Sequence, residues 1–188
     1  IIVNNTGCLE VFSTAFPESA WGVPFIHSLF ENAAAVASGV ESALKFAGKK
    51  DNINVIAQGG DGSTADIGLQ ALSGMLERGH DILYVCYDNE AYMNTGVQRS
   101  GLTPFATNTT TSPAEAAVIG NLRPKKPMPE IALAHGIPYV ATASVGFPQD
   151  ITRKVKKALS IKGPKYMQIH VPCPLGWRHE STQVLPVA

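Results

Sequence analysis

The sequence alternates short apolar, β-branched runs with longer helix-like segments. This alternation is typical of a parallel sheet whose strands are joined by helical crossovers and covered by helices on both faces. The predicted strands cover residues 1–5, 54–58, 82–87, 139–143 and 165–171. The predicted helices cover residues 31–47, 64–78, 129–135 and 149–159. We therefore predict an α/β fold in which one parallel sheet organises a single domain over residues 1–188.

Composition and charge exclude several classes of partner. The chain has 188 residues, of which 45% are hydrophobic, and it carries 15 basic and 15 acidic side chains. A net charge of zero gives no overall electrostatic attraction to a polyanion such as nucleic acid. The longest nearly apolar stretch, residues 33–40, is too short to span a bilayer. We expect neither nucleic acid nor a membrane as a partner. Because the chain starts without Met, inside a strand-like run, we also expect an upstream segment in the natural protein.

Polar and glycine-rich residues follow the ends of the predicted strands. Parallel sheets of this kind bind ligands at the carboxyl ends of their strands, near a topological switch point. The segments found there are Thr-Gly-Cys at 6–8, Gly-Gly-Asp-Gly at 59–62, Asp-Asn-Glu at 88–90 and Pro-Cys-Pro at 172–174. Residues 94–127 form a long segment rich in Thr, Gly and Pro, which is typical of a binding loop or lid.

The glycine-rich turn at residues 60–65 has more than one interpretation. It matches the dinucleotide fingerprint G-x-G-x-x-A, and Asp88 ends the next strand 23 residues after Ala65. A dinucleotide-binding Rossmann domain is therefore one alternative. However, Asp61 between the two glycines would repel a pyrophosphate unless a divalent cation lay between them. A further alternative is a tight strand-to-helix turn in which Asp61 only caps the helix.

A bound Mg²⁺ would turn Asp61 from an obstacle into a ligand. A second oxygen ligand is then expected after the following strand, where Asn89 stands. The resulting pattern of Gly-Asp-Gly, 26 residues and Asn resembles the thiamine diphosphate signature, in which the third ligand is the main-chain carbonyl two residues later, here that of Ala91. The helix that begins near Ser63 would direct N–H groups at the diphosphate. The usual second Asn of the signature is Glu90 in this chain.

Two longer strings are far more specific than this spacing. They are Gly-Gly-Asp-Gly-Ser-Thr-Ala-Asp-Ile-Gly at 59–68 and Tyr-Asp-Asn-Glu-Ala-Tyr-Met-Asn-Thr-Gly-Val-Gln-Arg-Ser-Gly at 87–101. Further matches are Asn-Thr-Gly-Cys-Leu-Glu at 5–10 and His-Val-Pro-Cys-Pro at 170–174. Together they closely resemble the β subunit of pyruvate:ferredoxin oxidoreductase and its 2-oxoacid:ferredoxin relatives. The resemblance extends from near residue 1 to about residue 177.

The resemblance implies oxidative decarboxylation of a 2-oxoacid with coenzyme A, in which iron–sulfur clusters pass electrons to ferredoxin. Pyruvate is the default substrate. The chain would supply the diphosphate-binding half of the thiamine diphosphate site in a cytoplasmic hetero-oligomer, and another subunit would bind the pyrimidine. Branched-chain, aromatic and other 2-oxoacids such as 2-oxoglutarate, or oxalate, remain alternatives for the substrate. A dinucleotide-dependent dehydrogenase domain and a non-catalytic scaffold subunit remain alternatives for the function.

The resemblance also assigns residues to roles. It implies that Asp61, Asn89 and the Ala91 carbonyl bind Mg²⁺. The predicted contacts with the diphosphate are Gly60, Gly62 and Ser63. Asn94 matches a position close to the reactive thiazolium, although a turn asparagine is the alternative for that sequence in isolation. Weaker candidates are Gln98 and Arg99 on the substrate side and His27 in the cofactor cleft.

The three cysteines divide into two groups. Cys86 lies inside an apolar strand and is predicted to be a buried small hydrophobic residue. Cys8 and Cys173 are predicted to lie in loops after strands, and both match cluster ligands of the family. A [4Fe–4S] cluster takes four thiolates, so the resemblance places the other pair in an upstream Cys-x-x-Cys. Without the resemblance, two unpaired buried cysteines would be the favoured interpretation.

Overall fold

The structure, a computed structural model, describes residues 1–15 and 17–188. Its strands are β1 (Ile2–Asn5), β2 (Phe25–Ser28), β3 (Val55–Gly60), β4 (Ile82–Asp88), β5 (Ala114–Glu115), β6 (Val118–Ile119), β7 (Tyr139–Ser144) and β8 (Lys165–His170). Six of them form one sheet in the order β2-β1-β3-β4-β8-β7, and every pair in it is parallel. β5 and β6 pair antiparallel in a small separate ribbon.

The helices connect the strands and cover the sheet. They are α1 (Cys8–Ser13), α2 (Ala33–Phe46), α3 (Leu69–Glu77), α4 (Met128–Leu133), α5 (Pro148–Leu159), α6 (Pro174–Trp177) and α7 (Val184–Val187). A π-helical turn over Ser63–Ile67 precedes α3. No helix in the described part of the chain is both long and apolar enough to cross a membrane.

Alternate side chains of the central strand β4 enter two separate hydrophobic cores. Ile82, Tyr84 and Cys86 pack in the first core, which includes residues of α2, α3 and α4. Leu83 and Val85 pack in the second core, which includes residues of α5. Because a strand buried on both faces presents apolar side chains in both directions, its sequence is a continuous apolar run. The predicted α/β fold with helices on both faces of a parallel sheet is confirmed.

The structure differs from the local predictions at three points. The edge strand β2 was not predicted, because its four residues are half-exposed and follow Pro24. The helix expected over residues 64–78 is divided at Gly68, where a Cβ atom would lie 2.1 Å from the Ser63 carbonyl oxygen. Cys8, expected in a loop, is the first residue of α1.

The strand order creates a switch point between β1 and β3. The chain leaves β1 for β2 at one edge of the sheet and then returns to the other side of β1 to form β3. Crevices at such points, outside the carboxyl ends of the strands, are where parallel sheets bind ligands. The segments after β1, β3 and β4 therefore lie side by side at one edge of the sheet.

Candidate functional site

A cleft of about 210 Å³ opens at the carboxyl ends of β1, β3 and β4. Nearly all the predicted site residues line it, namely Cys8, Gly60, Asp61, Gly62, Ser63, Asn89, Ala91 and Asn94. Cys173 is not among the lining residues, although Val171 in the same loop is. Complete pockets for small molecules usually measure roughly 300–1,000 Å³. The cleft on this chain is therefore sized for part of a larger ligand.

Asp61 follows β3 directly and is almost fully buried, with 3% of its surface exposed. Its Oδ2 accepts a short hydrogen bond from the Ser100 hydroxyl, which leaves Oδ1 for other partners. Burial raises the pKa of this carboxyl to about 7; the Ser100 hydrogen bond opposes the rise and the charge of Asp88 adds to it. A divalent cation beside Oδ1 would favour the ionised carboxylate.

Three polar groups meet at the mouth of the cleft. One terminal atom of the Asn89 amide lies 3.2 Å from Asp61 Oδ1 and 2.7 Å from the Ala91 carbonyl oxygen. If that atom is nitrogen, it donates to both oxygens. If it is oxygen, three oxygens converge, an arrangement that a shared cation makes favourable. Neighbouring oxygens in an octahedral Mg²⁺ shell are about 2.9 Å apart, so the spacing fits this ion.

Protein atoms alone favour the first orientation, in which the amide nitrogen donates to both oxygens. A cation among the oxygens would favour the second orientation, in which Asn89 Nδ2 donates to Cys8 Sγ over 3.7 Å. The main-chain carbonyl of Asn89 accepts a hydrogen bond of 3.1 Å from the Trp177 indole. The described donor set of one carboxylate, one amide oxygen and one carbonyl is hard and rich in oxygen, as Mg²⁺ requires.

Lys125 links the two residues that flank Asn89. Its ammonium lies 2.6 Å from Asp88 Oδ2 and 2.9 Å from Glu90 Oε1. Glu90 adopts a φ of 74°, in the left-handed region that asparagine tolerates better than glutamate. The ion pair with Lys125 therefore holds Glu90 at the position where the thiamine diphosphate signature usually has its second Asn.

The two glycines of the turn have different surroundings. A Cβ atom at Gly62 would lie 2.0 Å from the Tyr92 ring, so the protein's own packing requires glycine there. A Cβ atom at Gly60 would lie 3.9 Å from its nearest neighbour, which is ordinary contact. Gly62 is already helical, with φ −68° and ψ −43°, so the helix begins before the predicted Ser63. Packing within the chain thus explains Gly62 but not Gly60.

Cys8 and Cys173 lie at the same end of the sheet. Burial raises the pKa of the Cys8 thiol, and the charges of Cys173 and Asp61 add to the rise. The backbone N–H of Asn94 and the Asn89 amide donate to Cys8 Sγ and oppose it. Cys173 Sγ accepts a hydrogen bond of 3.4 Å from the backbone N–H of Gly176 at the start of α6.

The cysteines do not form a complete metal site. Across residues 1–15 and 17–188, no three His, Cys, Asp or Glu side chains are placed to hold a metal ion together. Two thiols are half of the four thiolates that a [4Fe–4S] cluster takes. Cys86 is fully buried in β4, and burial raises the pKa of its thiol, as expected of a core residue.

The weaker candidates Gln98, Arg99 and His27 are not among the residues that line the cleft. Gln98 donates to the Thr95 carbonyl over 2.8 Å, and Arg99 donates to the Asn121 side chain over 2.7 Å. His27 Nε2 lies 2.8 Å from the Thr6 hydroxyl at the edge strand. Asn94 lines the cleft and is exposed at its rim.

Sequence reasoning missed Ser100, Thr103 and Lys125. Ser100 and Asp61 are 39 residues apart, and Lys125 lies 35 residues from Glu90. No periodicity or short motif reports contacts over such separations. Ser100 does fall within the string at 87–101, but only as a flanking residue of the motif.

Comparison with known families decides between the alternatives for this site. Residues 5–169 match the family described as thiamine pyrophosphate enzyme, C-terminal TPP binding domain. The chain belongs to this family. Thiamine pyrophosphate is another name for thiamine diphosphate, so the match decides against the dinucleotide-binding alternative.

Relatives of this thiamine pyrophosphate-binding domain agree with the motif resemblance. It is 64% identical over 188 residues to pyruvate synthase subunit PorB of Methanosarcina barkeri, covering all of this chain and 64% of that protein. It is 49% identical to ketoisovalerate oxidoreductase subunit VorB of Pyrococcus abyssi, covering all of this chain and 62% of the relative. The chain thus spans just under two thirds of the length of these curated relatives.

A solved structure shares the fold of the domain. It is the 2-oxoglutarate:ferredoxin oxidoreductase from Magnetococcus marinus with 2-oxoglutarate, coenzyme A and succinyl-CoA bound. The two chains superimpose with a TM-score of 0.77 at 25% sequence identity, over 98% of this chain and 57% of the other. The resemblance to 2-oxoacid:ferredoxin oxidoreductases found in the motifs is therefore confirmed.

Proposed function

We propose that the chain is the diphosphate-binding part of a 2-oxoacid:ferredoxin oxidoreductase that converts pyruvate and coenzyme A to acetyl-coenzyme A and CO₂. The observation that carries the proposal is the convergence of Asp61, Asn89 and the Ala91 carbonyl beside Cys8 at the switch point of the sheet. One carboxylate, one amide and one carbonyl that meet in a cleft are ligand types that Mg²⁺ takes. This convergence favours catalysis over the scaffold alternative.

The three oxygens are proposed to hold Mg²⁺ against the cofactor's diphosphate. Asp61 supplies a charged ligand, and the other two ligands are neutral, which leaves the ion able to attract phosphate oxygens. Gly60, Gly62 and Ser63 line the cleft where the helix begins. Free N–H groups and the positive end of the helix dipole favour an anion there.

The bound cofactor would supply a stabilised carbanion at its thiazolium ring, which decarboxylation of a 2-oxoacid requires. The residues of this chain orient that ring and shield it from water. Asn94 is the proposed neighbour of the reacting end, because it lies at the rim of the cleft formed by the diphosphate ligands. The pyrimidine end of the cofactor would bind another subunit, in keeping with the small volume of the cleft.

Cys8 and Cys173 are proposed to bind an iron–sulfur cluster that they share with cysteines outside the described segment. Both cysteines follow strands of the parallel sheet, β1 and β8, and Cys8 lies directly against Asn89. This placement would put the cluster beside the cofactor, where it can accept electrons and pass them to ferredoxin. Two ligands from this chain require two more from elsewhere.

Pyruvate is the proposed substrate because the relatives named pyruvate synthase are more similar than those named ketoisovalerate oxidoreductase. The identities are 64% and 49%, respectively. A branched-chain 2-oxoacid is the alternative that the second relative supports. The proposed partners are the pyrimidine-binding and other subunits of the complex, ferredoxin and coenzyme A, in the cytoplasm.

Replacement of Asp61 tests the proposal in the complete enzyme. The Asp61→Ala complex is expected to lose Mg²⁺-dependent binding of thiamine diphosphate. Asp51→Ala is the matched control, because the Asp51 side chain is 96% exposed and lies away from the cleft. Full cofactor content and activity in the Asp61→Ala complex would contradict the assignment.

A further inference from the structure

We propose that Ser100 and Thr103 are positioning residues that set the spacing of the three oxygens and so favour Mg²⁺ over larger divalent cations. The inference rests on the proposed function, because it takes the oxygens of Asp61, Asn89 and Ala91 to surround a cation. Ser100 and Thr103 lie in the loop between β4 and β5, and each has 0% of its surface exposed.

The Ser100 hydroxyl has a single proton, and its neighbours determine where that proton points. The backbone N–H of Leu102 donates to Ser100 Oγ over 3.1 Å. Ser100 therefore uses its own proton in the short hydrogen bond to Asp61 Oδ2. This bond fixes one carboxylate oxygen and holds the other, Oδ1, toward Asn89.

Thr103 acts in the same way on the opposite side of the oxygen cluster. Its Oγ1 accepts a hydrogen bond of 2.9 Å from the Ser100 N–H and donates one of 2.6 Å to the Glu90 carbonyl. Glu90 has positive φ and belongs to neither a helix nor a strand, so regular structure does not hold its peptide group. Thr103 thus fixes the carbonyl immediately before the ligand carbonyl of Ala91.

The turn that carries both hydroxyls is itself firmly held. The Thr103 N–H donates to the Ser100 carbonyl over 3.2 Å and closes the turn. Asn121 Nδ2 donates to the Thr103 carbonyl over 2.9 Å, and the Gly101 N–H donates to Asp66 Oδ2 over 2.9 Å. The turn therefore joins the ligand after β3 to the ligands after β4 as one rigid unit.

Such a unit matters more for Mg²⁺ than for Ca²⁺. Mg²⁺ requires near-ideal octahedral geometry at about 2.0–2.1 Å, whereas Ca²⁺ accepts irregular shells at about 2.3–2.6 Å. Loosening Asp61 or the Glu90 carbonyl should therefore weaken Mg²⁺ binding more than Ca²⁺ binding. A general loss of folding would weaken the binding of both ions equally.

Metal titrations of the complete oxidoreductase complex test the inference. The complex is freed of divalent cations with a chelator, supplied with excess thiamine diphosphate, and titrated by calorimetry with Mg²⁺ and, separately, with Ca²⁺. Ser100→Ala and Thr103→Val are expected to weaken Mg²⁺ binding by roughly 10–100-fold, as is common for residues that orient metal ligands, with a smaller loss for Ca²⁺.

Two matched variants serve as controls. Thr103→Ser keeps the hydroxyl, and Ser38→Ala removes a buried hydroxyl that donates to the Ala34 carbonyl over 2.8 Å in α2, away from the oxygen cluster. Both should keep the preference for Mg²⁺. If the Ser100→Ala complex does not fold, the Thr103→Val complex is sufficient to test the inference.

Unchanged Mg²⁺ affinity, or an equal loss of Mg²⁺ and Ca²⁺ affinity, would overturn the inference. These outcomes differ from failure of the proposed function. If the proposed function is wrong, the unmodified complex binds neither ion in the presence of thiamine diphosphate, and the inference is then wrong as well.

Discussion

The side-chain amide of Asn89 lies 3.7 Å from the sulfur of Cys8, a residue 81 positions earlier in the chain. The same amide presents its other terminal atom to Asp61 and to the Ala91 carbonyl. Under the proposed function, one side chain contacts both the magnesium ion and the thiolate of an iron–sulfur cluster. Asn89 would then connect the site where electrons are released to the group that accepts them.

The Asn89→Asp variant separates these two contacts. Aspartate keeps an oxygen for Mg²⁺ but loses the N–H that donates to Cys8 Sγ. Because hydrogen bonds to cluster sulfurs help set the reduction potential, the potential of the cluster should become more negative while thiamine diphosphate stays bound. A redox titration followed by electron paramagnetic resonance measures the potential, and an unchanged value would argue against this contact.

Replacement of Cys173 tests its assignment as a cluster ligand. Cys173→Ser should lower the iron content of the complex and weaken its visible absorption while the fold is retained. Cys86→Ala is the control, since Cys86 is fully buried in the core and should not affect iron. If iron and absorption in the Cys173→Ser complex equal those of the unmodified complex, the assignment is wrong.

Replacement by alanine should have different effects at the two glycines of the turn, Gly60 and Gly62. Gly62→Ala should lower the free energy of unfolding by about 1–3 kcal/mol, because the new methyl group overlaps the Tyr92 ring. Gly60→Ala meets no atom closer than 3.9 Å and should fold normally, but should bind thiamine diphosphate more weakly if the diphosphate approaches Gly60 closely. Denaturation measures the stability of each variant, and cofactor titration measures its affinity for thiamine diphosphate. Normal cofactor binding by Gly60→Ala would mean that the diphosphate does not approach Gly60.

Acid sensitivity should depend on Asp81, which lies at the opposite end of the sheet from the cleft. Burial raises the pKa of Asp81, but its hydrogen bonds with Lys165 and Lys50 outweigh that effect and lower the pKa from 3.8 to about 2. A carboxyl group whose pKa is lower in the folded state stabilises that state at every pH above its pKa in the unfolded chain. This contribution to stability is therefore present at neutral pH and is lost as pH falls from about 4 toward 2.

The Asp81→Asn variant tests that linkage through the unfolding temperature of the cofactor-free protein. It should be less stable at neutral pH and should lose less stability on acidification than the unmodified protein. Asp51→Asn is the control, because Asp51 is an exposed residue. An identical pH dependence for Asp81→Asn and the unmodified protein would mean that other carboxylates control acid unfolding.

The sequence predicted those parts of the site that depend on strand ends. Asp61 and Asn89 each follow a strand that begins with an apolar run, and parallel neighbours bring their carboxyl ends together, so the meeting of these residues could be expected. The short edge strand β2 carries no such signal, because its side chains are half-exposed. Ser100 and Thr103 were missed because a hydroxyl in an irregular loop has no periodicity that reveals its distant partner.

This chain is proposed to hold thiamine diphosphate through magnesium beside an iron–sulfur cluster. The most direct test is to isolate the complete complex without oxygen and to measure its thiamine diphosphate, magnesium, iron and acid-labile sulfide. All four are expected in the same complex. A nicotinamide or flavin in their place, with no thiamine diphosphate and no iron, would contradict it.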